Sequence, residues 1–218
     1  MSLVSHAAKA LVAAAVLGVT ASAFAHGSEK HQAATSPAAS KLVQTQDALR
    51  DLWIGHVFWV RNVVIETYAG NTAAAKVAED QAVANAKQIA AAIEPFYGAA
   101  ASDQLFKLLA GHYGAIKDYL DATVAGSTAK QDAAFKNLTS NADQIATFLA
   151  GANPNLPVDT LRSLLLAHGG HHVQQIKQLH DKQYAEEART WDEMKNHMYV
   201  IADALAGAIA KQFPAKFN

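Results

Sequence analysis

From about residue 41 onward, apolar residues recur at intervals of three and four. Leu49, Leu52, Val60 and Val63 fall on one stripe and Ala82, Ile89 and Ile93 on another. Ala and Leu dominate and β-branched runs are short, which favours helices and leaves little room for strands. Ala69-Gly70-Asn71-Thr72 and Ala125-Gly126-Ser127-Thr128 each combine a helix-ending glycine with residues that cap the start of the next helix. Pro95, Gly98, Pro154 and Pro157 break the chain between these pairs. The pattern predicts helices near 41–69, 72–96, 101–125, 128–150, 157–182 and 185–212. The fold class is therefore all-α, a helical bundle of about six helices in three tandem hairpins (about 41–96, 97–152 and 153–212).

The hairpins read as copies of one unit. Asp47, Leu49, Leu52 and His56 align without a gap on Asp103, Leu105, Leu108 and His112, and again on Asp159, Leu161, Leu164 and His168, at a period of 56 residues. Asn85, Ile89 and Ala90 likewise match Asn141, Ile145 and Ala146, and more weakly His197, Ile201 and Ala202. In an antiparallel hairpin, residues equidistant from the turn share one height. His56 then stands level with Asn85, His112 with Asn141 and His168 with His197. All six lie on apolar stripes, so the sequence predicts one polar layer inside a Leu/Ala/Ile core. Buried imidazoles and amides cost free energy unless they are hydrogen-bonded or coordinated.

The third hairpin adds chemistry. His172 replaces the Val60 and Ile116 of its siblings, and Glu193 replaces Gln81 and Asn137. His168 and His172 are four apart on one helix, and Glu193 and His197 four apart on the next. Three imidazoles and a carboxylate facing each other across two turns form a ligand set for a transition metal in a helical bundle. The sequence nominates His168, His172, Glu193 and His197 as ligands, with His112 and His56 completing the shell or lining the cavity. With no thiolate and mostly imidazole, Zn, Cu, Fe or Ni is favoured over Mg or Ca. The bland counterpart is a layer of hydrogen-bonded core histidines, His56 on Asn85 and His112 on Asn141. His171 and His180 read as solvated, Trp53, Trp59, Met194 and Met198 as core, and Arg61 as a partner for Glu66 near its helix end.

Composition narrows the field. The 218 residues contain no cysteine, which removes disulfides, thiolate metal sites and cysteine nucleophiles together. Eighteen basic against nineteen acidic residues, unclustered, lack the electrostatic footprint of nucleic-acid binding. No Ser/His/Asp arrangement, phosphate loop or nucleotide fingerprint occurs. At the amino end, Lys9, the apolar run 10–19 and Ala23-Phe24-Ala25 read as a signal peptide over 1–25. Cleavage after Ala25 would place the protein in the periplasm or outside the cell, with His26 as an amino terminus able to chelate copper. Residues 26–40 read as a flexible polar arm and 41–218 as a single helical domain, with no membrane span in the mature chain.

Leu52-Trp53-Ile-Gly-His56-Val-Phe-Trp59-Val-Arg61, the breaks Glu94-Pro95-Phe96-Tyr97-Gly98 and Asn153-Pro154-Asn155, and the ending Lys211-Gln212-Phe213-Pro214-Ala-Lys216-Phe217 carry a resemblance. With these LWxxHxxWxR and KQFPxKF motifs, residues 45–217 resemble a poorly characterised family of small secreted or periplasmic bacterial helical proteins. The resemblance implies no activity. It implies histidine at the positions of His56, His112, His168 and His197, with His172 and Glu193 particular to this chain. Three readings stand: a transition-metal-binding protein in metal handling or metalloenzyme chemistry, a non-enzymatic repeat module with a structural polar layer, or a small-molecule or haem-binding bundle. Catalysis and any protein partner are left open.

Overall fold

The computed structural model describes residues 37–218, with side chains from residue 41; the expected signal peptide and all but the last four residues of the arm lie outside the described residues. Six long helices, α1 (Pro37–Tyr68), α2 (Thr72–Ala92), α4 (Ala99–Val124), α5 (Thr128–Ala152), α6 (Val158–His180) and α7 (Tyr184–Gln212), are joined by two single-turn helices, α3 (Glu94–Tyr97) and α8 (Pro214–Phe217). The described residues contain no strand. The long helices start and stop within a few residues of the sequence expectation. The exceptions are α1, already helical at the first described residue, Pro37, and the α2 end at Ala92, from which Pro95 sets off α3.

Each hairpin turns in the same way. Gly70 (φ 72°) and Gly126 (φ 64°) take the left-handed conformation that ends a helix, and Lys182 (φ 58°) takes it at the third turn. The next residue closes each turn by reaching back to a helix carbonyl, Asn71 to Glu66 at 2.9 Å, Ser127 to Ala122 at 2.9 Å and Gln183 to Gln178 at 2.8 Å. Asn71 also caps α2, its side chain accepting from the Ala74 N–H at 3.3 Å.

The helices pack as a closed circuit. α1 pairs with α2, α2 with α4, α4 with α5, α5 with α6, α6 with α7, and α7 returns to α1. Across the middle, the first helices of the three hairpins, α1, α4 and α6, touch one another. Bidentate ion pairs close the α1–α7 seam: Arg50 on Asp203 at 2.8 and 2.7 Å, and Arg61 on the buried Glu187 at 2.6 Å twice. Arg61 thus reaches across to α7 rather than along its own helix to Glu66. A two-point fit to a carboxylate on a neighbouring helix outcompetes a partner five residues on along the same helix. At one end, Phe96 of α3 stacks on Phe217 of α8, and the Tyr97 hydroxyl donates to Gln212 at 2.8 Å while accepting from Asn153 at 2.9 Å.

The apolar interior forms two clusters. One gathers Leu49, Trp53, Leu105, Leu109, Leu161, Leu165, Met194 and Met198, and the other Val60, Val63, Ile116, Tyr119, Leu138 and Ile176. On α1, α4 and α6, the residues between these clusters are His56, His112, His168 and His172.

Candidate metal centre

Four imidazoles are buried at the joint between the clusters, His56 3%, His112 2%, His168 1% and His172 2% exposed. Each lies on the inward stripe of its helix: α1 presents His56 between Trp53 and Val60, α4 presents His112 between Leu109 and Ile116, and α6 presents His168 and His172 between Leu165 and Ile176. Ring nitrogens of His56, His168 and His172 all lie within 4.8 Å of one another. His168 sits at the middle, its ring centroid 4.5 Å from His172, 5.5 Å from His112 and 5.6 Å from His56. The His112 ring stacks on His168 with 15° between planes.

Hydrogen bonds at the rim recur. Asn85 Nδ2 donates to the Leu52 carbonyl at 3.0 Å, Asn141 Nδ2 to the Leu108 carbonyl at 3.0 Å, and His197 Nε2 to the Leu164 carbonyl at 2.8 Å. Gly55 and Gly111 make room for the two amides, since a Cβ at either would stand 3.0 Å from Asn85 Nδ2 or 3.2 Å from Asn141 Nδ2.

The Asn141 oxygen meets His112 Nδ1 at 3.1 Å. Because the Asn141 nitrogen serves a carbonyl, its oxygen faces the ring, and an oxygen only accepts; Nδ1 therefore carries the proton and Nε2 keeps its lone pair. That Nε2 is buried with no partner, as are both nitrogens of His168, Nε2 of His172 and Nδ1 of His56. The matching pair on the first hairpin is not bonded: Asn85 Oδ1 and His56 Nδ1 are both buried and unpartnered. Of the two His–Asn bonds expected from the sequence, the structure contains the one between His112 and Asn141.

Burial dominates the electrostatics. It pushes His56 down to about 3, assisted by the nearby His112, and His112 down to about 4 against the opposing pull of the Asn141 hydrogen bond. His168 and His172 are held well below the ordinary histidine value by burial and then by the surrounding rings. All four are therefore neutral at pH 7, the state in which imidazole binds a metal.

The expected quartet does not meet. His168 and His172 face the centre, but Glu193 is exposed, and His197 is half-buried with its Nε2 committed to Leu164 and its ring 5.4 Å from His171. Equal height along a hairpin says nothing about rotation. His197 occupies the place of Asn85 and Asn141, at the seam between two helices, and Glu193 lies one turn along that seam toward solvent. His171 is half-buried with an unpartnered Nδ1, and burial lowers its pKa. His180 is exposed and pairs with Asp181 at 2.8 Å. Trp53, Met194 and Met198 are core, and Trp59 packs partly buried against the second cluster. The clearance at Gly55 and Gly111 went unread in the sequence, although both glycines directly precede a layer histidine at the 56-residue period.

Comparison with protein-family models, curated proteins and solved structures finds no match. Among the described residues, no helix is long and apolar enough to cross a membrane.

Proposed function

We propose that this is a transition-metal-binding protein whose site is the buried cluster of His56, His168 and His172, with the free Nε2 of His112 beside it. One observation carries the reading: His168 lies at the centre of the cluster, 1% exposed, with neither ring nitrogen hydrogen-bonded. A structural polar layer would satisfy its members. Each unpaired buried group instead costs about 1–3 kcal/mol, and several lie here side by side. A metal removes the part of that cost that belongs to the lone pairs. Donors on one ion at bonds of about 2.1 Å stand about 3.5 Å apart, and ring nitrogens within 4.8 Å of one another are near enough to share one. Zn, Cu, Fe and Ni suit imidazole.

The sequence repeat supports an origin of the layer in a multiplied hairpin, with His172 added in the third copy. The amino-terminal segment 1–25 supports export, which would have the protein meet its metal in the periplasm or outside the cell. The resemblance to small secreted bacterial helical proteins agrees with both and assigns no reaction.

The test is elemental analysis of untagged protein from its native compartment, together with melting temperature against added metal. The reading expects about one equivalent of one transition metal and a melting temperature that rises with metal concentration. Both effects should vanish in His168→Ala/His172→Ala and persist in His180→Ala. Protein that takes up no Zn, Cu, Ni or Fe, or a double variant that binds as well as the parent, would overturn it.

A further inference from the structure

The cluster is short of negative charge. Besides burial, the groups that act on His56, His112, His168 and His172 are the Asn141 amide and other histidines, the half-buried His171 and His197 included. Among the described residues Glu187 is the one buried carboxylate, and it is fully engaged: Arg61 donates to both of its oxygens at 2.6 Å, and Gln175 donates to one at 3.0 Å. Glu193, the carboxylate expected to join the ligands, stands in solvent. An ion among these rings therefore meets neutral nitrogen donors only and keeps its whole charge inside an apolar core.

The cost of burying an ion grows with the square of its charge, so a divalent cation pays roughly four times the desolvation of a univalent one of similar size. Sites for Zn(II) without thiolate or carboxylate offset this by carrying a hydroxide or another anion in with the metal. A univalent ion needs no such companion. Copper(I) is the univalent transition-metal ion that imidazole binds well, and its filled d shell accepts two or three nitrogen donors without an imposed geometry.

Building on the metal-binding reading above, we propose that the centre formed by His56, His168 and His172 selects univalent copper over divalent cations because its lining carries no counter-charge. The selection is electrostatic rather than a matter of ligand softness, so a charge placed in the layer should weaken it. His172→Asp, or His112→Asp where the first variant does not fold, supplies one carboxylate at the cluster.

The experiment is an anaerobic competition titration of the full chain. Copper(I) is buffered by a chromophoric chelator, silver(I) serves as a redox-inert univalent probe, and zinc(II) and cobalt(II) serve as divalent competitors. The expected result is one equivalent of copper(I) or silver(I) retained against about a 100-fold excess of zinc(II). Folded Asp variants, checked by circular dichroism, should shift the zinc-to-silver preference toward zinc by at least about tenfold, and Glu193→Gln should leave it unchanged. Zinc(II) displacing both univalent ions from the parent, or an unmoved preference in a folded Asp variant, overturns the charge-based selection while leaving a metal site in place. Binding of no ion of either charge overturns the metal reading itself.

Discussion

The Asn141 amide holds His112 and the Leu108 carbonyl at once, its oxygen 3.1 Å from His112 Nδ1 and its nitrogen 3.0 Å from the carbonyl. Neither contact can reverse without setting two acceptors face to face, so the side chain fixes the His112 tautomer. Asn141→Leu removes both bonds and leaves His112 Nδ1 unserved, while the Leu108 carbonyl keeps its helical partner. The expected loss is about 1–3 kcal/mol of stability, with His112 passing from one tautomer to a mixture. Long-range proton–nitrogen NMR reads the tautomer directly; an unaltered His112 spectrum in a folded variant would contradict the assignment.

Glu187 is the second point where a single change should have a large effect. Its carboxylate is buried beneath Arg61, whose side chain is 30% exposed and lies over the Trp191 ring. Arg61→Met strands the carboxylate and is expected to cost about 3–5 kcal/mol. Arg61→Met combined with Glu187→Leu removes both charges and should recover most of that loss, as urea unfolding of the two variants would show.

The glycines sort by what surrounds them. Alanine is the better helix former by about 1 kcal/mol, so Gly114→Ala, where a Cβ meets nothing within 4 Å, should raise the melting temperature. Gly55→Ala should lower it, because the new Cβ pushes Asn85 off the Leu52 carbonyl. Lys182 holds a left-handed conformation that glycine occupies at both other hairpin turns. Lys182→Gly is expected to stabilise by about 1 kcal/mol, and Lys182→Ala should bring no such gain.

Acid should unfold the metal-free protein abruptly. Above pH 6.5 the layer histidines are neutral in both the folded and unfolded chains and contribute nothing to pH dependence. Below it the unfolded chain takes up protons that the folded one refuses, down to about 3 for His56 and about 4 for His112. Stability is therefore complete above the unfolded value and falls with pH by about 1.4 kcal/mol per unit per histidine. Four such groups exhaust an ordinary stability of about 5–15 kcal/mol within one to three pH units. Circular dichroism against pH, with proton uptake counted through the transition, should show about four protons entering together. A gradual loss with one proton or none would refute the neutral layer.

Much of the architecture was legible because it depends on local chemistry. Glycine followed by Asn71 or Ser127 marks two hairpin turns, and the three- and four-residue spacing of Leu, Val, Ile and Ala marks the buried faces of the long helices. The third turn carries Lys182 instead of glycine, and the 56-residue spacing places it between 182 and 185 all the same. Spacing also shows that His56, His112 and His168 are alike. It does not show how far α7 is rotated about its axis, and that rotation takes His197 to a backbone carbonyl and Glu193 to water. Nor could pattern alone arrange three hairpins into a closed circuit, since the Arg50–Asp203 and Arg61–Glu187 pairs join residues 153 and 126 positions apart.

The return of α7 to α1 also sets an order of events during synthesis. His56 lies on the first helix and His168 and His172 on the sixth element of the chain, so no partial product ending before α6 possesses the three donors together. A first hairpin that emerges alone carries His56 beside Asn85 and lacks both His168 and His172. On the metal-binding reading proposed above, capture of an ion would wait for α6 and be denied to a chain truncated before it.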